Sequence, residues 1–295
     1  MEWVHYALIA AIAWGIGNVI DKLVVKTTGV SIQVMLIFTG ILGVATLSLI
    51  VPLYGLQSIS FNFFLIFLII GLLYQALLFF YFKVIQIWDL GNCVPFFIGF
   101  TPILTLILGV IFLNDRISFP NLLGISLVTI GAFLISLKPN TKFIKKAIFL
   151  SMMVALTNAI MIISLDAMTS HLSYWDVFSW VRIGALMVSI VITIHYLSKN
   201  KLRDLSVDLK KLVIPLGIGE STALLGQLAI IIGLSTGFAP LVIGVSASQT
   251  LFAFLFVMII GRYVPRMKEE NTTLQIIMKV ISCILISFGV YLIAL

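Results

Sequence analysis

The stretch FTPILTLILGVIFLNDRISFPNLLGISLVTIGAFLISL, residues 100–137, decides the fold of this chain. It contains two apolar runs, each close to the length that crosses a bilayer, joined by a short polar segment at 114–118. A weaker copy of this pattern returns at 245–295. An apolar hairpin that occurs twice predicts a membrane protein with an internal duplication.

The composition excludes a soluble protein. Of the 295 residues, 61% are hydrophobic and 10% are charged, and the mean hydropathy is +1.22. A soluble domain needs about 25% charged residues to cover its surface. The pI near 9.4 does not indicate nucleic-acid binding, because Lys and Arg lie mostly in short gaps between apolar runs, as membrane orientation requires. We expect the lipid bilayer and a small molecule as partners, and no nucleic acid.

Ten apolar runs are long enough to cross a hydrocarbon core about 30 Å thick. The gaps between them are short, so neighbouring helices run antiparallel. The first run ends without a small-residue cleavage site, and we interpret it as a retained helix and not as a signal peptide. The sequence predicts an all-α membrane protein with ten transmembrane helices, at 3–20, 31–51, 62–85, 93–113, 119–137, 146–165, 174–197, 211–233, 240–260 and 273–294.

A basic linker at 138–146 divides the ten runs into two groups of five that resemble each other. Asn18 in the first run is matched by Asn158 in the sixth, and GAFLISL at 131–137 is matched by GVYLIAL at 289–295. An odd number of spans per half requires opposite orientations, which is the inverted repeat of many secondary transporters. We therefore predict one membrane unit of two inverted five-helix repeats, 1–139 and 140–295, around a central cavity.

Lys and Arg lie almost entirely on one side of the predicted bundle. The connections after odd-numbered runs, with the run ends beside them, carry fifteen of these residues, whereas the opposite side carries Arg116 alone. The positive-inside rule places the fifteen in the cytoplasm and both termini outside. We expect a protein integral to the cytoplasmic (inner) membrane.

Both halves resemble the EamA-type ten-helix transporters of the drug/metabolite transporter superfamily. The resemblance is carried by AIAWG at 11–15, PILTLILGVIFLNDRIS at 102–118 and LLGISLVTIGAFLISL at 122–137. Asp115 stands where that family usually has Glu, and Arg182 is similar to an arginine that the family often carries early in the second helix of a repeat.

This resemblance implies a compact bundle whose central cavity is lined mainly by helices 1, 3 and 4 and by helices 6, 8 and 9. It also implies transport of small metabolites, such as amino acids, amines, sugars or nucleotide precursors, coupled to protons or to exchange. Many relatives have cytoplasmic termini, which is opposite to the orientation that the charges of this chain predict.

Ionisable residues at membrane depth are functional candidates, because their burial is costly unless they are paired or hydrated. Glu220 and Arg182 both lie near the middle of a predicted span. One interpretation is a buried ion pair that holds helices 7 and 8 in register, or an Arg182 bonded to helix-end carbonyls. The other is a Glu220 that faces the cavity and exchanges a proton for an ammonium group. Lys279, nearer the start of its run, is expected to extend its amine to the interface.

Polar side chains on other helices complete the predicted substrate-binding set. Trp14 and Asn18 share a face with Asp21, which we interpret as a solvated residue at the helix end. We interpret Phe96 and Phe97 as lipid-facing, with aromatic cavity walls as the alternative. The full predicted set is Glu220, Trp14, Asn18, Tyr74, Gln75, Asn158, Gln227, Ser246, Gln249 and Arg182.

A cavity of aromatic rings, amides and one carboxylate suits a small molecule that bears an ammonium group. The sequence therefore predicts a secondary active transporter of a small metabolite, an amino acid or amine, that works by alternating access with proton coupling or exchange. Pro95, Pro102 and Pro240 are the predicted hinge points. The alternatives are a flippase of a lipid-linked polar substrate and, less favoured, an intramembrane enzyme.

The sequence gives no signal for an enzyme or a bound metal. HExxH, GxSxG and phosphate-binding glycine loops do not occur. His5, His171 and His195 lie at span ends, too scattered for a metal site. We expect no cofactor and no metal, and a monomer or homodimer.

Overall fold

The computed structural model describes residues 2–27, 29–88, 90–115, 117–136, 144–200, 208–209, 213–260 and 273–295. Much of the predicted basic linker and of two other basic connections lies outside these ranges. The main helices are α1 (Glu2–Thr27), α2 (Ile32–Tyr54), α3 (Phe61–Ile87), α4 (Leu90–Leu108), α5 (Phe119–Ser136), α6 (Lys145–Thr169), α7 (Tyr174–Leu197), α8 (Pro215–Leu234), α9 (Ala239–Ser246), α10 (Gln249–Ile260) and α11 (Thr273–Ala294).

These helices confirm an all-helical membrane protein. Within the described ranges, nine segments are long and apolar enough to cross a membrane, with α9 and α10 together forming one of them. A further apolar helix, Phe119–Ile135, is shorter. Every predicted span thus corresponds to a helix or a helix pair, and the number that cross the membrane is nine or ten.

Serine side chains define the start of three helices. Ser31, Ser60 and Ser173 have extended backbones, and each side-chain oxygen accepts a hydrogen bond from the backbone N–H three residues later. Such caps satisfy N–H groups that have no partner within the helix. They explain why the spans begin where the apolar runs begin.

Two spans depart from regular α-helix. The end of α4 continues as a π-helical turn over Gly109–Leu113, and the ninth predicted span is broken between α9 and α10. Pro240 was predicted as a hinge within that span, but it lies in the first turn of α9, where proline removes no helical hydrogen bond. The break falls several residues later, at 247–248. Pro95 and Pro102 do lie inside α4, as predicted.

Helices of the first half pack mainly on helices of the second. The first span, α1, packs on α8 and α10, and the sixth, α6, packs on the corresponding helices α3 and α4. The second and seventh spans pack on each other, as do the fifth and tenth. Corresponding helices of the two halves thus pack on corresponding partners, as expected of a duplication. The contact of α3 with α7 is an exception, because the corresponding contact of α8 with α2 is much smaller. The opposite orientation of the halves and their boundary at 139/140 stay predictions.

Glycines allow the closest of these helix crossings. A Cβ added to Gly71 of α3 would lie 2.2 Å from the backbone carbon of Gly184 in α7. A Cβ added to Gly124 of α5 would lie 2.6 Å from the carbonyl oxygen of Gly289 in α11. No other residue fits such contacts without a backbone shift, so these crossings depend on glycine.

Candidate functional site: the central cavity

A cavity of about 120 Å³ lies between the two halves. Its walls come from α1, α3 and α4 of the first half and from α6, α8 and α10 of the second. A smaller void of about 20 Å³ shares four of its lining residues and reaches α9. The cavity is therefore lined by the six spans that the family resemblance implies.

Seven of the ten predicted site residues lie on these two voids. Six of them line the larger cavity: Trp14, Asn18, Tyr74, Asn158, Gln227 and Gln249. Ser246 lines the smaller void, beside Asn158 and Gln249. The structure thus brings together amides and aromatic rings from both halves. Glu220, Gln75 and Arg182 are buried but are not among the lining residues.

The face of α1 forms a hydrogen-bonded wall of the cavity. The Tyr81 hydroxyl lies 3.1 Å from Asn18 Oδ1 and 3.0 Å from Asp21 Oδ2, and Asn18 Nδ2 donates to Gln249 Oε1 at 3.4 Å. Trp14 Nε1 donates to the carbonyl oxygen of Ala223 at 3.2 Å. These bonds connect α1 to α3, α8 and α10 and so hold the side chains of this wall in position.

Asp21 is the carboxylate of the cavity, which corrects its interpretation as a solvated helix-end residue. The first helix runs on to Thr27, beyond the predicted end at residue 20, and therefore holds Asp21 inside the bundle. The side chain lines the cavity and contacts Tyr81. The spacing with Trp14 and Asn18 was the signal that placed it on the same face.

Arg182 forms neither of the contacts that the sequence suggested. Its guanidinium carbon lies 4.1 Å from the ring centroid of Tyr74 and 5.5 Å from that of Phe178. Its Nη2 donates to Gln227 Oε1. Arg182 and Glu220, both in the described part of the chain, do not form an ion pair. Glu220 is buried at 3% exposure.

Gln75 packs helices together instead of facing the cavity. Its Nε2 donates to Ser189 Oγ at 2.7 Å and lies 3.4 Å from the carbonyl oxygen of Ala185 on α7. A mid-membrane amide must find polar partners, and Gln75 finds them on the neighbouring helix. It is not among the residues that line the two voids, and its assignment as a substrate ligand stays a prediction.

The predictions for Phe97 and Lys279 are wrong. Phe97 is buried, lines the cavity, and meets the Tyr81 ring edge-on with the centroids 5.9 Å apart. Phe96 packs on Phe100 and Phe133 and so is not simply lipid-facing. Lys279 is buried at 5% exposure, with Nζ 4.6 Å from the Phe254 ring centroid, and does not extend to the interface.

An open cleft of about 400 Å³ lies where the turn after α4, the end of α6 and the start of α9 meet. Asp115 and Asp166 both line it, and the Asp166 carboxylate accepts a hydrogen bond from the backbone N–H of Ala239 at the start of α9. Partial burial raises the pKa of Asp115 above its ordinary value of 3.8. This cleft therefore brings two acidic side chains together at one end of the bundle.

Comparison with known proteins supports the family resemblance. Residues 1–137 match the family model described as the EamA-like transporter family. The first half of the chain is therefore EamA-like, as its motifs indicated, and that family is one of transporters in the drug/metabolite superfamily. A comparison with curated proteins finds no significant match.

Solved structures extend the likeness to the second half at the level of fold. Twenty-eight chains of solved structures match. One crystal structure is similar over 99% of this chain and 96% of its own, with a TM-score of 0.67 and 15% sequence identity. At that identity the likeness shows the fold alone, and it covers both halves.

Proposed function

We propose that the protein is a secondary active transporter of a small metabolite with an amino group, either an amino acid or a simple amine. The observation that carries this proposal is the central cavity between the halves, which combines one carboxylate, several amides and aromatic rings. Its volume of about 120 Å³ is below the roughly 300–1,000 Å³ of pockets for drug-sized molecules. It therefore suits a substrate of amino-acid size.

The recognition chemistry follows from the cavity walls. The Asp21 carboxylate supplies the negative charge for an ammonium group, and the Trp14 ring in the same wall offers cation–π contact. Leu77, Leu78 and Val154 leave an apolar wall for the rest of the substrate. A cation in such a site exchanges its water shell for a carboxylate and aromatic rings.

Alternating access requires the halves to move relative to each other around this cavity. The break between α9 and α10 and the prolines inside α4 lie in the helices that face each other across the smaller void. Helix hydrogen bonds are already missing at these positions, so bending there costs little. An ammonium group that arrives beside the Asp21 carboxylate in the cavity favours its ionised form. This offers a route to proton coupling.

Uptake by proteoliposomes tests the proposal. The probes are L-leucine, L-phenylalanine, putrescine and choline, with glucose and uridine as substrates that lack an amine. We expect accumulation of at least one amine-bearing probe and stabilisation of the purified protein by about 2.7 kcal/mol at 100 times its dissociation constant. Accumulation of only glucose or uridine, or of no probe, would overturn the proposal.

A substitution at Asp21 tests the role of the cavity. In Asp21→Asn, the Tyr81 hydroxyl keeps an oxygen acceptor, so the fold is retained while the charge is lost. We expect the affinity for the amine-bearing probe to fall about 10- to 100-fold, since a bond to a charged group contributes roughly 1.5–3 kcal/mol. The matched control is Asp176→Asn in the first turn of α7, outside the cavity, where Ser173 caps the helix and Asn keeps an oxygen for the backbone N–H of Gln57. If both variants bound the amine-bearing probe with the same affinity, Asp21 would not be part of the binding site.

A further inference from the structure

The Trp14 indole occupies the place where a side chain would begin at position 226 of α8. A Cβ added to Gly226 would lie 2.6 Å from Trp14 Nε1, 2.7 Å from Cδ1 and 3.1 Å from Cε2. Real Cβ atoms essentially never come within 3.0 Å of another heavy atom. The ring can therefore take this position only because residue 226 is a glycine.

A hydrogen bond holds the indole on the same stretch of α8. Trp14 Nε1 donates to the carbonyl oxygen of Ala223, which lies three residues before Gly226. An indole N–H away from water needs an acceptor. Moving the ring off α8 would break this bond, so the bond and the missing side chain at Gly226 together fix the ring.

The backbone of α1 is packed too closely to move in place of the ring. On one side of it, a Cβ added to Gly15 would lie 3.0 Å from the Cβ of Phe252 in α10. On another, a Cβ added to Gly17 would lie 3.2 Å from Thr222 Oγ1 in α8. A methyl group at position 226 is therefore accommodated by rotation of the Trp14 ring.

The space open to a displaced ring is the binding cavity. Trp14 lines both the cavity of about 120 Å³ and the adjoining void of about 20 Å³. In the second half the corresponding position, by the match of Asn18 with Asn158, is Val154, whose side chain is much smaller. The position of the one indole in this wall therefore affects how much free volume the cavity keeps.

We propose that Gly226 is a positioning residue that determines the size of the molecules which the cavity admits. It leaves room for the Trp14 indole against α8, and so keeps the ring out of the space that a substrate would occupy. Gly226 is not itself among the lining residues, so it acts through Trp14. The inference rests on the proposed transport function and adds to it the pair of residues that limits substrate size.

Thiol labelling of the purified protein tests the inference without a known substrate. With Cys93 and Cys283 replaced by alanine, Asn158→Cys places a single thiol in the wall of both voids. The two reagents are methyl methanethiosulfonate and the larger benzyl methanethiosulfonate, and the readout is the ratio of their rates. A loss of stability alone does not lower that ratio.

Gly226→Ala is expected to slow the benzyl reagent about 10-fold relative to the methyl reagent, as for the steric cost of an overpacked contact. Gly217→Ala, on the same helix, is the matched control, because a Cβ there meets nothing within 4 Å. We expect it to keep the ratio of the parent protein. A Gly226→Ala variant with that same ratio would overturn the inference.

Combining the substitution with Trp14→Leu shows whether Gly226 acts through the indole. Without the ring, Gly226→Ala has nothing to displace, so we expect it to leave the ratio unchanged in that background. Equal effects in both backgrounds would overturn the inference. If Gly226→Ala does not fold, Trp14→Leu alone decides: it is expected to raise the ratio, and an unchanged ratio would overturn the inference.

Uptake by proteoliposomes separates this inference from the transporter proposal. Accumulation of an amine-bearing probe, together with labelling rates that do not respond to Gly226→Ala, would overturn the role of Gly226 alone. Absence of uptake of every probe would overturn the transporter proposal. The labelling rates would then still show whether Gly226 and Trp14 set the size of the cavity.

Discussion

Asp115 lies in the turn after α4 with its carboxylate folded back over the helix end. Its Oδ2 is buried without a hydrogen-bond partner, and a Cβ on Gly109 would lie 2.6 Å from it. Burial disfavours the charged form and raises the pKa above 3.8. The protonated side chain therefore fits the folded state better than the ionised one.

The consequence is a pH-dependent stability. The favourable contribution of Asp115 is complete below the unfolded pKa near 3.8 and is lost as the pH rises through the raised folded pKa. Asp115→Asn removes the charge at every pH, so we expect a higher melting temperature than wild type at pH 7 and a difference that shrinks toward pH 4. Thermal unfolding in detergent over a pH series measures this. A pH-independent difference would contradict it.

At the scale of single side chains, the sequence predicted which polar residues share a helix face better than it predicted which of them line the cavity. Trp14 and Asn18 line the cavity because their spacing on α1 places them on one face, and that face includes Asp21. Glu220 shares a face with Gln227 by the same rule, yet only Gln227 is among the lining residues. Helical spacing gives the face of a helix, but the depth of the cavity along that face depends on how the neighbouring helices pack.

At the scale of helices, the contact between α5 and α11 depends on two glycines. In Gly124→Ala the new methyl group would lie 2.6 Å from the Gly289 carbonyl oxygen and 2.7 Å from Ile293. We expect a loss of about 1–3 kcal/mol in the free energy of unfolding, as in other overpacked contacts. The measurement is thermal or denaturant unfolding of the purified protein.

Gly217 of α8 provides the matched control for that substitution. A Cβ there meets nothing within 4 Å, so Gly217→Ala gains helix propensity without a clash. We expect it to be neutral or to stabilise by about 0.5–1 kcal/mol. If both alanine variants behave alike, the close approach of α5 and α11 does not contribute to stability.

Hydropathy predicted the existence of every helix but not the irregular ones. Apolar runs of near-bilayer length admit only helices, because the backbone must satisfy its own hydrogen bonds in lipid. The break at 247–248 and the π-helical turn at Gly109–Leu113 lie inside equally apolar runs. No proline occupies the break, so the sequence pattern carried no signal for where it falls.

At the scale of the whole molecule, two polar regions lie at different depths between the halves. The cavity around Asp21 lies toward the end where α6 begins with Lys145 and Lys146, and the acidic cleft around Asp115 and Asp166 lies toward the other end. Buried apolar side chains such as Ile162, Leu165 and Val242 occupy the intervening stretch of the same helices. A substrate that crosses the protein between these regions must displace that apolar layer.

The direction of that passage depends on which end faces the cytoplasm. An inverted repeat does not decide this, since turning the molecule over exchanges the two halves and preserves the architecture. The distribution of Lys and Arg predicts it: Lys145, Lys146 and Lys199 lie at the end that we expect in the cytoplasm. The connection between α2 and α3, which carries no Lys or Arg, then lies outside.

Cysteine labelling in intact cells tests this orientation. In a variant with Cys93 and Cys283 replaced by alanine, single cysteines are introduced by Ser58→Cys, in the exposed α2–α3 connection, or by Asn200→Cys, in the exposed segment after α7. We expect a membrane-impermeant maleimide to label the first in intact cells and the second only after permeabilisation. The reverse pattern would place both termini in the cytoplasm, and the cavity around Asp21 would then lie toward the outer side of the membrane.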